Sequence, residues 1–366
     1  MPHASRTHRR LKIASLGAAA LATALLLTSC SGSAQSADAS DGLKVVATTT
    51  QLTDFASQVG GADIALTGLL APGGSAHHFD PTPAELLALS EADVLIVNGA
   101  GLETFIDGAI EASGFDGRII TAVDGLDSEL LREITAEGGE AHEHEAGHEA
   151  DAHAAEEAAG DHAQGEEEHD HDHGDVNPHI WTSPRNAAGM VQEIATGLSE
   201  ADPAHAADYA ARAQGYLDQL DQLDTWIAAQ FERVPAADRV LVSGHDSLRY
   251  YLHDYGITFA GSILPSFEDN AEPSAADIDA LVASITERGV KAVFVESSMS
   301  PKLARTIAAE AGVEVIDAES LYADSLGAPG AQSGGADTYI GATVHNTRVI
   351  LEAWGVTPDP LPASLQ

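Results

Sequence analysis

Residues 203–233, PAHAADYAARAQGYLDQLDQLDTWIAAQFER, separate two halves of the chain and decide how it folds. Tyr209, Ala213, Tyr216, Leu220, Leu223 and Ile227 recur at alternating intervals of four and three, which places them on one face of a helix. The helix is predicted from about Pro203 to Arg233, ending before Pro235. Roughly thirty residues of helix reach about 45 Å, enough to cross a whole protein.

On both sides of this helix, short apolar runs alternate with helical stretches. Upstream, Leu43–Thr49, Ile64–Leu70, Val94–Val97 and Arg118–Val123 read as buried strands. Between them, Leu52–Val59, Thr82–Glu91 and Glu103–Ser113 read as helices, and Thr82-Pro83-Ala84-Glu85 fits a capping box with proline in the first turn. Downstream, the strands are Val240–Ser243, Thr258–Ile263, Ala292–Glu296 and Val313–Asp317. The helices there are Ser247–Tyr255, Ser274–Arg288, Pro301–Ala311 and Tyr339–Trp354. Strands alternating with helices imply βαβ units and parallel sheets. The expected fold class is α/β, with two parallel-sheet α/β lobes joined by one long rigid helix and a site in the cleft between the lobes. The expected domains are an N-terminal α/β lobe (42–200), the linking helix (201–234) and a C-terminal α/β lobe (235–366).

The 366 residues carry 17 basic and 57 acidic side chains, a formal charge of −40. That surface repels nucleic acid and anionic lipid, which excludes both as electrostatic partners, and it attracts cations without choosing among them. The N-terminus differs. Arg6, Arg9, Arg10 and Lys12 precede an apolar run from Ile13 to Leu27, short for a membrane span, and the run ends in Leu27-Thr28-Ser29-Cys30. This reads as a signal peptide over 1–29 with a lipobox, so that lipid on Cys30 attaches the chain to the outer face of the cytoplasmic membrane. The location is then the cell surface or the periplasm. Residues 30–41, small and polar, read as a flexible tether. Cys30 is the only cysteine, so no internal disulfide or thiolate metal site can form.

Between 140 and 175 the alternation stops. This stretch holds eight histidines (His142, His144, His148, His153, His162, His169, His171 and His173) among fourteen acids, with no Lys or Arg. It is expected to be a disordered loop able to bind metal weakly. The plainer reading is a solvated spacer.

Nine histidines lie elsewhere, and four of them stand at three places where a strand or loop gives way to a helix. The His77-His78 pair follows the Pro72-Gly73-Gly74 turn, His179 lies in NPHIW and His245 follows the strand at 240–243. In α/β sheets ligands gather beyond the carboxyl ends of strands, so these positions can converge. Neutral imidazole is a zinc ligand, and a carboxylate would complete a tetrahedron. Asp337, after Gly334-Gly335 and before the last helix, is a candidate among many acids.

In order, the motifs GSAHHFDPTP (74–83), NPHIWTSP (177–184), VSGHDSLRYYLHDYGI (242–257), VFVESSMSPKLA (293–304) and ADSLG…GADTYIGATVHNT (323–347) resemble the solute-binding lipoproteins of zinc and manganese ABC importers, the ZnuA/TroA type. The resemblance runs from Leu43 to Trp354. It implies one divalent metal held by His77, His179, His245 and Asp337, with the adjacent His78 as the alternative to His77. Manganese members usually carry Glu where this chain has His245, so the pattern favours Zn2+, with Mn2+ as the alternative. The implied partners are a permease and its ATPase, and the receptor is expected to be a monomer. Because the histidines must be neutral to bind, affinity is expected to fall below about pH 6. His205, His253, His345, Trp181, Tyr250, Tyr251 and Tyr339 are read as surface or packing residues. A zinc hydrolase is the reading from another class, with Glu296 or Asp246 as base, but the chain has no His-Glu-x-x-His pair.

Overall fold

The computed structural model describes residues 42–137, 176–264, 272–330 and 334–365. The signal segment, Cys30, the tether up to residue 41 and all eight histidines between 142 and 173 lie outside these residues.

The first half runs β1 (Leu43–Ala47), α1 (Thr50–Gly60), β2 (Ile64–Gly68), α2 (Pro83–Ser90), β3 (Val94–Val97), α3 (Ile106–Ser113), β4 (Arg118–Thr121), α4 (Ser128–Glu137) and α5 (Pro184–Ala201). Then come α6 (Ala206–Phe231) and the second half. That half comprises β5 (Val240–Ser243), α7 (Arg249–Asp254), β6 (Thr258–Ser262), α8 (Ala275–Arg288), β7 (Ala292–Glu296), α9 (Lys302–Ala311), β8 (Glu314–Leu321) and α10 (Tyr339–Ala353). The two four-stranded sheets have the same order, β2-β1-β3-β4 and β6-β5-β7-β8, and every pairing is parallel. The central strands read VLIV and AVFVE and are buried throughout, as strands covered on both faces must be. In each sheet the chain reverses its direction of travel between the first and third strands. The crevice at that switch, beyond the carboxyl ends, is where an α/β sheet receives a ligand.

Helix α6 buries the predicted stripe of Tyr209, Ala213, Tyr216, Leu220, Leu223 and Ile227, and adds Trp226 and Phe231. Its first turns are fastened to the first half. Arg212 donates from Nε to the Val59 carbonyl at 2.6 Å and from Nη2 to Asp63 Oδ2 at 2.8 Å. Its last turn belongs to the second half, where the Phe231 ring lies 5.7–5.9 Å from those of Tyr251, Tyr255 and Trp354.

The capping box at Thr82 is present, with Pro83 in the first turn. Several boundaries differ from expectation because a polar side chain is used elsewhere. Helix α3 begins at Ile106 rather than Glu103. The Glu103 carboxylate is buried and accepts from Thr48 Oγ1 at 2.6 Å and the Asn98 amide at 2.6 Å, which ties the β3 loop to the end of β1. Strand β1 stops at Ala47 because Thr49 caps α1, its hydroxyl accepting from the Leu52 amide at 3.1 Å. Strand β8 continues to Leu321, four residues beyond the expected Asp317. Helix α5, like α4, adds to the predicted elements. Ser183 caps it, Pro184 opens it, and Ala187, Met190, Val191, Ile194 and Leu198 form its buried face against α6.

Leu223 is fully buried on α6. Leu223→Ala should lower stability by about 2–5 kcal/mol through lost burial and the cavity left behind, as read from the urea-unfolding midpoint. Asp221→Ala, on the exposed face of the same helix, should stay within about 0.5 kcal/mol of the parent.

Candidate metal centre

His77 lies in the loop between β2 and α2, His179 in the segment leading into α5, His245 just beyond β5 and Asp324 just beyond β8. Two of these residues come from each half of the chain. One ligand atom from each falls within 4.8 Å of all the others, and all four residues are buried. His179 Nε2 is 3.0 Å from His77 Nε2 and 3.2 Å from His245 Nε2. Asp324 Oδ1 is 3.2 Å from His245 Nε2 and 3.4 Å from His179 Nε2.

Three of the four groups have a polar neighbour behind them. His179 Nδ1 donates to Asn177 Oδ1 at 2.9 Å, leaving the lone pair of the neutral ring on Nε2. His245 Nδ1 faces Glu296 Oε1 at 3.5 Å. Glu296, 1 % exposed at the end of β7, also accepts from Ser247 Oγ at 2.9 Å. Gly244 makes that approach possible, since a Cβ there would stand 1.9 Å from Glu296 Oε2 and 2.4 Å from the Met299 sulfur. Asp324 Oδ2 accepts from Ser298 Oγ at 2.8 Å. The backbone around Asp324 is held from the first half. The Ala323 carbonyl accepts from Gln51 Nε2 at 2.9 Å and Trp181 Nε1 at 2.8 Å, and the Leu326 amide donates to Thr50 Oγ1 at 2.9 Å.

Burial disfavours charge on both His245 and Asp324, but their mutual attraction outweighs it. Asp324, with Glu296, holds the His245 pKa well above the usual histidine range, and the two imidazoles hold the Asp324 pKa well below the carboxylate range. Asp324 Oδ1 has no hydrogen-bond partner of ordinary geometry among the described residues. A buried oxygen in that condition, pointed at convergent nitrogens, suits a cation. Zinc–nitrogen bonds of 2.0–2.1 Å give a tetrahedron with edges of about 3.3–3.4 Å, close to the four spacings above. The residues present therefore fit a divalent metal.

The three histidines singled out in the sequence come together, and it is His77, not the exposed His78, that points inward. The carboxylate is a correction, because Asp337 is exposed just before α10 and takes no part in the cluster. The acid in that place is Asp324, the second residue of ADSLG. A strand ending at Asp317 leaves Asp324 well away from a strand end, whereas β8 reaches Leu321 and brings Asp324 to its carboxyl end. His205 pairs with Asp202 at 2.6 Å, His253 with Glu137 at 2.9 Å, and the His345 ring lies 5.0 Å from that of Tyr322, all away from the cluster. Trp181, Tyr250, Tyr251 and Tyr339 are buried packing residues.

The family described as zinc-uptake complex component A, periplasmic (ZnuA) matches residues 45–353. The manganese-binding lipoprotein MntA of Bacillus subtilis is 28% identical over 341 residues, covering 92% of this chain and 98% of that protein. The high-affinity zinc uptake system protein ZnuA of Brucella abortus is 36% identical over 262 residues, covering 70% and 75%. Among solved structures, the periplasmic zinc-binding protein TroA of Treponema pallidum superposes with a TM-score of 0.68 at 24% identity, covering 86% of this chain and 99% of that one, and so shares the fold. With a family match across both sheets and the helix between them, the chain belongs to the ZnuA family of periplasmic zinc-uptake components.

Proposed function

We propose that this chain is an extracytoplasmic receptor that captures one divalent metal ion, zinc foremost, between His77, His179, His245 and Asp324, and delivers it to the permease and ATPase of an ABC importer. The observation that carries this reading is the convergence of four buried donor atoms from four loops within 4.8 Å. Membership of the ZnuA family supports the transport role. Three imidazole nitrogens and one carboxylate oxygen suit zinc better than manganese, which prefers oxygen donors. Manganese is the second reading, favoured by the MntA relative. Capture rather than catalysis is proposed because four protein donors leave tetrahedral zinc no open position for an activated water. Lipid on Cys30 and collection of metal by the histidines between 142 and 173 belong to the same proposal and rest on sequence.

Release requires that a donor be withdrawn. Anchorage of α6 in both halves supports a small local opening, and the segment after β8 is a donor loop whose backbone is tied to the other half, as is the loop after β5 through the Asp246 carbonyl.

Metal analysis of the purified chain should find one equivalent of zinc. His77→Ala, His179→Ala, His245→Ala and Asp324→Ala should each lose most of it, whereas Asp337→Ala should retain it. Retention by Asp324→Ala would remove the proposed coordination set. Competition between zinc and manganese, monitored with a chelating indicator, should favour zinc, and a preference for manganese would select the second reading.

Proton and metal compete for the same nitrogens. Because the His245 pKa is raised, protonation begins to oppose binding above the ordinary histidine range, higher than the pH 6 onset expected from sequence. Zinc affinity should therefore fall steadily as pH is lowered from about 8 to about 5.5, with protons released on binding. Calorimetry in buffers of different ionisation enthalpy counts those protons. A flat affinity with no proton release would exclude histidine ligation.

A further inference from the structure

Asn177 has no exposed surface, carries no charge and is not a donor to the cluster, yet every polar group it has is used. Its side-chain nitrogen donates to the Asp246 carbonyl at 2.6 Å. Its side-chain oxygen accepts from the His179 amide at 3.1 Å and faces His179 Nδ1 at 2.9 Å. Its backbone amide donates to Thr135 Oγ1 at 3.0 Å, and its carbonyl accepts from Tyr250 Oη at 2.8 Å.

These contacts can be satisfied in only one way. A backbone carbonyl can only accept, so the nitrogen of the Asn177 amide must face Asp246 and the oxygen must face His179. An oxygen acceptor requires a proton on His179 Nδ1. In the neutral ring the lone pair then stands on Nε2, the atom that meets His77 and His245. A carbonyl one residue beyond His245, in the second half of the chain, thus dictates through a single amide which nitrogen of a first-half histidine can bind metal. His245 has no equivalent fastening, for its Nδ1 is 3.5 Å from Glu296 and makes no ordinary hydrogen bond among the described residues.

We propose that Asn177 is the positioning residue of this centre: it fixes the ring of His179 with its lone pair inward and couples that ring to the loop carrying His245, so that both histidines hold or release the ion together. The inference rests on the metal-binding reading above.

The test uses the full chain and zinc alone as probe. In histidine-15N-labelled protein stripped of metal at pH 8, two-bond nitrogen–proton correlations should show His179 protonated on Nδ1. Asn177→Ala should lose that preference, raise the zinc Kd by about 10–100-fold and speed dissociation to a chelator. Asn177→Asp keeps an acceptor for His179 but loses the donor to Asp246. It should retain the Nδ1-protonated ring and recover part of the affinity while still releasing zinc faster than the parent. A role in folding alone would move none of the tautomer signals. Finding His179 of the parent protonated on Nε2, or a parental zinc Kd in folded Asn177→Ala, would overturn the proposal. If Asn177→Ala fails to fold, the parent spectrum and Asn177→Asp decide. If the parent binds no zinc, the metal reading fails by itself, and the tautomer measurement still reports on Asn177.

Discussion

Three imidazole nitrogens and a carboxylate oxygen, turned toward one another where almost no water reaches, form an arrangement that is electrostatically costly until something positive joins it. In water each group would be solvated separately. Inside the protein their lone pairs face one another at 3.0–3.4 Å, and the low local dielectric magnifies whatever interaction exists. A proton relieves part of this, as the opposite displacements of the His245 and Asp324 pKa values indicate. A divalent cation relieves more, because it can face all four donors at once. Polar neighbours stand behind three of these groups, Asn177 behind His179, Glu296 behind His245 and Ser298 behind Asp324, while Thr104 holds the backbone at His77, its hydroxyl donating to the His77 carbonyl at 3.2 Å.

The two sheets explain how donors so distant in sequence can meet. Each is wound in the same order, so each offers loops of the same kind at the carboxyl ends of its strands. The first sheet supplies His77 after β2, and the second supplies His245 after β5 and Asp324 after β8. His179 comes from the segment that leads into α5, the helix lying along α6, so its backbone is built into the largest core of the molecule. The site thus depends on the register between α5 and α6 as much as on either sheet.

Legibility in the sequence followed how local each signal was. The stripe on α6, the capping box at Thr82 and the histidines beside strand ends are set by neighbours within a few residues, and all could be read. Asp324 could not, although it stands in ADSLG, because locating it requires knowing where β8 ends. That end is set by pairing with β7, where the register shifts between Phe294 and Glu296. Asp337 is an acid before a helix, a position many acids share. Helix α5 carried a readable start at Ser183-Pro184 and a buried stripe, but its small alanines and glycines weakened the apolar pattern. The inward turn of Glu103 was invisible because a glutamate in a helix-forming stretch ordinarily faces water.

The four candidate donors are divided equally, two from each half of the chain, and an ion held by all four would act as a rivet through both plates. Thermodynamic reciprocity then applies. Whatever factor the rivet adds to the preference for closed plates, closed plates add to the hold on the rivet. A partner that prises the plates apart must therefore loosen the ion by the same factor by which the ion resists that partner. Loading and closure of the two halves would then be coupled, each reinforcing the other.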